Sequence, residues 1–179
     1  MHTFQEKYIK EALPQFMKKF NVANRMAVPR VLKVAVNVGV GKIKDEKQLQ
    51  EILAMLTLIT GQKPSARAAK KAIASFKTRQ GQIIGYAVTL RGKRMQDFLD
   101  RLIHIALPRS RDFQGVPAKA VDHHGNLTIG IKEHIVFPEI IGEDYKVLFG
   151  FEITIVTNAK NKERGLALLT LLGIPFKKQ

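Results

Sequence analysis

The sequence has no cysteine. Disulfides and thiolate metal sites are therefore excluded, which suits a reducing, cytoplasmic setting. Long hydrophobic runs are also missing. The longest, Ile52 to Ile59, is interrupted by Thr57 and is too short to span a bilayer. The opening Met1-His2-Thr3-Phe4-Gln5-Glu6 has the form of neither a signal peptide nor a myristoylation site, so no membrane partner is expected. The third absence is the most informative. From Ile52 to Gln96 there is no Asp or Glu, yet nine basic residues fall there: Lys63, Arg67, Lys70, Lys71, Lys77, Arg79, Arg91, Lys93 and Arg94. Solvated surfaces usually mix charge signs, because mixing lowers self-repulsion. A stretch of one sign keeps that repulsion for a polyanion to relieve, and nucleic acid is the commonest polyanion.

The totals agree with this reading. The 179 residues include 30 Lys or Arg against 15 Asp or Glu, a net charge of +15, and 45% of them are hydrophobic. That length and composition support one compact domain over residues 1–179 with a real core, and argue against disorder. A basic membrane-surface protein would need an amphipathic helix with a basic polar face. The first helix comes nearest, but Glu6 and Glu11 weaken it.

Periodicity supplies the elements. Phe4, Tyr8, Ile9, Leu13, Phe16, Met17 and Phe20 mark a helix that Pro14 should kink or divide. Val31 to Val38 is β-branched and reads as a mostly buried strand. Asp45 is placed to cap a helix striped by Leu49, Ile52, Leu53, Leu56 and Ile59, with Gly61 closing it. Ala66 to Ile73 permits either strand or helix. Ile83 to Leu90 reads as a strand, with Gln80-Gly81 at the tip of a long hairpin between these two segments. Met95 to Ala106 is a helix that Pro108 ends. Arg109 to Gly125 reads as a long functional or mobile loop, with Arg109, Arg111 and Asp112 in a charged cluster that an internal ion pair could order. Leu127 to Ile131 and Phe151 to Ile155 alternate as strands, His134 to Asp144 is irregular, and Lys160 to Leu172 is a last helix. The fold class is α+β: a mainly antiparallel sheet flanked by helices, with a long protruding hairpin.

Enzyme motifs fail on spacing. Gly39-Val40-Gly41-Lys42 lies between a strand and a helix, but a dinucleotide fingerprint needs glycine where Lys44 stands and a P-loop needs it where Val36 stands. The same glycines permit a plain turn or a loop that approaches an RNA phosphate. His2, His104 and His134 stand alone, and His123-His124 has no third ligand at suitable spacing. Asp97 and Asp100 read as helix-dipole partners rather than catalytic carboxylates. No cofactor and no catalytic set is expected. Between Lys63 and Arg94, by contrast, Phe76 and Tyr86 sit among cations, a combination that stacks on bases and neutralises phosphates. Phe76 could equally anchor a core.

Several segments resemble one family at length. They are Val36-Asn37-Val38-Gly39-Val40-Gly41, ITGQKPSARAAKKAIASFK from Ile59, VTLRGKRMQDFLDRLIHIALPRSRDFQG from Val88, GNLTIGIKEHIVFPEI from Gly125 and FEITIVTNAK from Phe151. Together they resemble the universal fifth protein of the large ribosomal subunit in its bacterial form, from about Tyr8 to Phe176. The resemblance implies a non-enzymatic protein that binds 5S rRNA in the central protuberance. Its implied partners are 23S rRNA, other 5S-rRNA-binding proteins, peptidyl-site tRNA and the thirteenth small-subunit protein. It implies an rRNA surface of Asn37, Gly39, Gly41, Gln62, Lys63, Thr89 and Arg91. It also implies a tRNA-facing hairpin of Phe76, Lys77, Thr78, Arg79, Gln80 and Gly81, continuing to Gln82. Ser65, Arg67, Ala72, His123 and His124 depart from the commoner family residues.

Overall fold

The computed structural model describes residues 3–43, 45–111, 113–142 and 145–177. Five strands form one sheet: β1 (Val31–Gly39), β2 (Ser65–Ala68), β3 (Ile83–Leu90), β4 (Leu127–Ile131) and β5 (Phe151–Thr157). Their spatial order is β2-β3-β1-β5-β4, and every neighbouring pair is antiparallel. The expected α+β class holds. Alternation decides the faces. Val34, Val36 and Val38 of β1 point inward with Tyr86, Val88 and Leu90 of β3, Ile129 and Ile131 of β4, and Ile153 and Ile155 of β5. Helices cover that side, and Phe16, Ile52, Leu56, Phe98 and Leu99 fill the core without solvent contact.

The first helical rod is α1 (Phe4–Lys7), a π-helical turn at Tyr8–Ala12, and α2 (Leu13–Phe20). Pro14 does not divide it. A proline ring clashes with the carbonyl four residues earlier in a regular helix, and the wider π turn just before Pro14 takes up that misfit. The device recurs. After α3 (Glu46–Thr60), α4 (Gly92–Arg101) leads into a π turn at Leu102–Ala106 and then α5 (Leu107–Arg109), so the rod runs through Pro108 and stops one residue later, close to the expected end. Both prolines stand in the same tripeptide, Ala12-Leu13-Pro14 and Ala106-Leu107-Pro108. Asp45 caps α3 by accepting from Lys47 N at 3.0 Å, and Gly61 closes it at φ 65°, both as expected.

Asp100 is a dipole partner, but of another helix. It lies near the end of α4, and its Oδ2 accepts from Phe4 N at 3.0 Å, at the start of α1. The loop after Arg109 is pinned in its middle. Val116 N donates to Pro175 O at 2.8 Å and Lys177 N donates to Val116 O at 2.9 Å. Asp112 of the anticipated ion pair lies outside the described residues, as does Asp144 at the end of the irregular segment. That segment is two 3-10 turns, His134–Val136 and Pro138–Ile140. His123 and His124 are exposed in a turn that Asp122 organises by accepting from His124 N and Asn126 N.

The last helix, α6 (Lys162–Leu171), is capped by Asn161, whose Oδ1 accepts from Arg164 N at 2.9 Å. It crosses the turn before β4 at a glycine–glycine contact. A Cβ built on Gly165 would lie 2.4 Å from the Cα of Gly125, whose φ is +84°.

His134 is fully buried, stacked on Phe149 at 4.3 Å between ring centroids, and meets the edge of Tyr145. Neither ring nitrogen has a hydrogen-bond partner among the described residues. Burial pushes the imidazole below its ordinary value of 6.5, and this outweighs the opposing pull of the Phe149 backbone and of nearby Glu51 and Glu133. The sign follows from linkage: in this window the unfolded chain binds the proton more readily than the native one. The contribution is complete above about pH 6.5 and is lost as pH falls through the lower folded value. Thermal melts from pH 7.5 to 5 should therefore show falling stability. His134→Phe, which keeps the stack and removes both unpaired nitrogens, should flatten that dependence. An equally steep decline in the variant would assign the acid sensitivity to other groups.

Candidate nucleic-acid interface

Directly opposed residues of an antiparallel pair share a face, so strand register maps the side of the sheet away from the helices. One row reads Ser65, Ala87, Asn37, Glu152, Gly130 across β2, β3, β1, β5 and β4. The next reads Thr89, Ala35, Thr154, Thr128, and a third Arg67, Gly85, Gly39. All but Gly85 are exposed or half-buried. Nearly all are small or uncharged, so the face is flat and polar. Glu152 is the one carboxylate on the five strands.

The structure brings several expected residues together here. Asn37 is exposed at the centre of β1, and its side chain makes no hydrogen bond among the described residues. It is therefore not a brace for the turn into Gly39. Thr89 lies one row away. Gln62 comes beside it from the loop after α3, with Nε2 3.5 Å from Thr89 O, too long to hold the amide firmly. Lys63 and Arg91 are exposed at the same end. Gly39 has no left-handed φ, and a Cβ there would meet nothing within 4 Å. Gly39 is the last residue of β1, opposite Gly85, and no steric feature of the fold requires glycine there. Gly41 lies beyond the strand end, in the turn that Ile43 N closes by donating to Val40 O at 2.9 Å.

Sequence reading missed Ser65, Arg67, Ala87 and Thr154 as members of this face. Their signal was present, since they occupy the small or polar alternate positions of their strands. The register that gathers them was not.

The hairpin differs from expectation. Strand β2 covers only Ser65–Ala68. The chain reverses at Ala74–Lys77, where a 3-10 turn is closed by Lys77 N donating to Ala74 O and Lys77 takes φ 50°. Thr78 then pairs with Ile73. Gly81, expected at the reversal, instead shapes a second turn that returns the chain to β3, with its N donating to Ala69 O at 3.0 Å. Phe76 is 73% exposed and so is no core anchor. Lys77, Arg79 and Gln80 are exposed around it, and Thr78 is half-buried.

Comparison with known proteins decides the family. Residues 24–79 match the family described as "Ribosomal protein L5", and residues 83–176 match the C-terminus of the same ribosomal family. The large ribosomal subunit protein uL5 of Geotalea daltonii is 49% identical over 178 residues, 99% of each chain. That of Streptococcus thermophilus is 49% identical over 175 residues, 97% of each, and that of Desulfatibacillum aliphaticivorans is 48% identical over 179 residues, 99% of this chain and all of the relative. The chain belongs to the uL5 family. As a uL5-family member it is a structural protein of the large ribosomal subunit and serves translation, not catalysis. No helix among the described residues is long and apolar enough to cross a membrane. The two uL5 matches meet between β2 and β3, two strands that are hydrogen-bonded to each other, so that boundary does not divide the sheet.

Proposed function

We infer that this protein binds 5S rRNA across the open face of its sheet and helps attach that RNA, with 23S rRNA and the other 5S-rRNA-binding proteins, in the central protuberance. The hairpin between β2 and β3 reaches peptidyl-site tRNA. A bridge to the thirteenth small-subunit protein belongs to the same reading. The observation that carries it is the open face itself: flat, almost without carboxylate, with Asn37 and Thr89 adjacent at its centre, Lys63 and Arg91 exposed at one end and Arg67 exposed in the row at the other. Uncharged hydrogen-bonding groups read sugars and bases, while the cations hold phosphates.

Asn37→Ala and Thr89→Ala should each weaken 5S rRNA binding by about 0.5–3 kcal/mol, the upper part applying where a buried partner is left unpaired. Melting temperatures should not move, because the Asn37 side chain makes no hydrogen bond among the described residues and Thr89 is held through its backbone. Filter binding alongside thermal melts tests this. A variant that loses binding and stability in proportion would make its residue structural. Wild-type affinity should fall with salt, the log–log slope being about −0.7 to −0.9 per phosphate contacted.

Arg79→Ala should loosen tRNA in the peptidyl site of assembled ribosomes and leave 5S rRNA binding near wild type. Its exposed guanidinium lies off the sheet face, and a phosphate contact positions RNA without reading sequence. The effect should be alike for different tRNAs. Loss of 5S rRNA binding in the same variant would place the hairpin on the 5S surface instead.

A further inference from the structure

The folded-back hairpin and the glycine turn after β1 are far apart in sequence but line one groove of about 1030 Å³. Ile73, Phe76 and Ile84 supply its apolar walls. Ile73 is 46% exposed, so the two hairpin side chains are held out toward solvent and not packed inward. The charged groups on the lining are Lys42, Lys70, Lys71 and Lys77, and no carboxylate lies among the described lining residues. On the opposite wall Gly39 and Gly41 present bare backbone. A Cβ on Gly41 would make only ordinary contacts, 3.8 Å from Ile84, and neither glycine has a left-handed φ. The fold would accept a side chain at both positions, and any side chain would narrow the groove.

We propose that this groove holds a single unpaired RNA nucleotide, its base against Phe76, Ile73 and Ile84 and its flanking phosphates on the four lysines. An apolar slot ringed by one sign of charge matches the two halves of a nucleotide, a flat π-face and an anionic linkage. A peptide of mixed charge would leave those lysines uncompensated. Paired bases are excluded by shape, since a duplex offers no free base face to enter. The inference rests on the RNA-binding reading above and adds residues outside it, namely Lys42, Lys70, Lys71, Ile73 and Ile84. It also joins the hairpin to the glycine turn, which that reading assigns to separate RNA surfaces.

The test uses the full-length protein and a single-stranded RNA hexamer carrying one 4-thiouridine, with the same sequence locked in a duplex as control. Photocrosslinking followed by peptide mapping should place the adduct within residues 69–84, and the duplex should crosslink poorly. The Ile73→Ser, Phe76→Ala double variant should lose about tenfold or more in hexamer affinity, the scale of base–aromatic stacking. Its melting temperature should be unchanged, since both side chains are exposed. Competition by 5S rRNA, 23S rRNA and deacylated tRNA identifies the source of the nucleotide. Equal crosslinking of the duplex, full affinity in the double variant, or displacement by none of the three RNAs would overturn the proposal. Asn37→Ala separates the two readings. If it weakens 5S rRNA binding while the groove variant binds the hexamer like wild type, only the groove assignment fails. If wild type does not bind 5S rRNA, the broader reading fails with it.

Discussion

Gly165→Ala should destabilise the protein by roughly 3 kcal/mol or more, above the usual range for overpacking. On a free helix the sign would be opposite, because alanine is the better helix former by about 1 kcal/mol. The difference lies in what the new methyl meets. Its carbon would sit 2.4 Å from Gly125 Cα, 2.7 Å from Gly125 O and 2.9 Å from Gly125 C, all backbone atoms. Gly125 cannot retreat easily. Its φ is +84°, its carbonyl accepts from Thr157 Oγ1 at 2.8 Å, and its own Cβ position is closed by Ala159 and Asn161 O. Relief requires α6 to move away from the turn at Gly125, which would disturb Leu168 and Leu169, both fully buried. For a domain of this size the loss corresponds to a melting temperature lower by roughly 6–12 °C. A melt at or above wild type would mean that α6 slides without resistance and the contact is not a constraint.

Ala87→Glu should reduce 5S rRNA affinity on the order of a hundredfold while the fold survives. Ala87 is half-buried on the open face, between Ser65 and Asn37. The strand bond it makes there, accepting from Ser65 Oγ at 2.9 Å, uses its carbonyl and outlasts the substitution. A carboxylate at that point faces phosphate across a desolvated contact, and like-charge juxtaposition costs several kcal/mol. Ala87→Gln has the same bulk without the charge and should retain more of the binding. Titrations at two salt concentrations separate repulsion from size, because the deficit of the Glu variant should shrink as salt screens it. If the Glu variant binds like wild type, the RNA does not lie on this face.

How far the sequence disclosed the fold depended on whether a segment has two unlike faces. Strands β1, β3, β4 and β5 alternate between core and open face, so the period was visible in Val34, Val36 and Val38 or in Phe151, Ile153 and Ile155. All four residues of β2 are exposed, so Ser65 to Ala68 carried no period to read. Caps such as Asp45 are local and were legible. The Asp100 bond to Phe4 spans 96 residues, and nothing near Asp100 announces it. The π turns hide for another reason: each is a single turn whose extra residue shifts the buried face by about one position, so the apolar stripe continues while Ile9, read as part of it, is 42% exposed. At the site, the cations could be nominated along the chain, and Asn37 only through the family resemblance. Their union with Ser65, Ala87 and Thr154 could not, because that depends on strand order, which has no signature in any one segment. Phe76 was open between core and surface until its neighbours in space were known.

The sheet order has a consequence for the chain's own synthesis. Strand β1 is the first to emerge, yet it ends up central, and one of its two neighbours is β5, the last strand made. At ordinary elongation rates the interval between them is on the order of ten seconds. During that time β1 can pair with β3, but its other edge stays open, flanked by Val34, Val36 and Val38 with only part of their apolar cover. An unpaired, aliphatic edge is the feature that templates association with other chains. Nascent molecules should thus be most prone to aggregate in this interval. A holdase or an early RNA contact on the β1–β3 half would be most useful there, before the C-terminal hairpin of β4 and β5 closes the sheet.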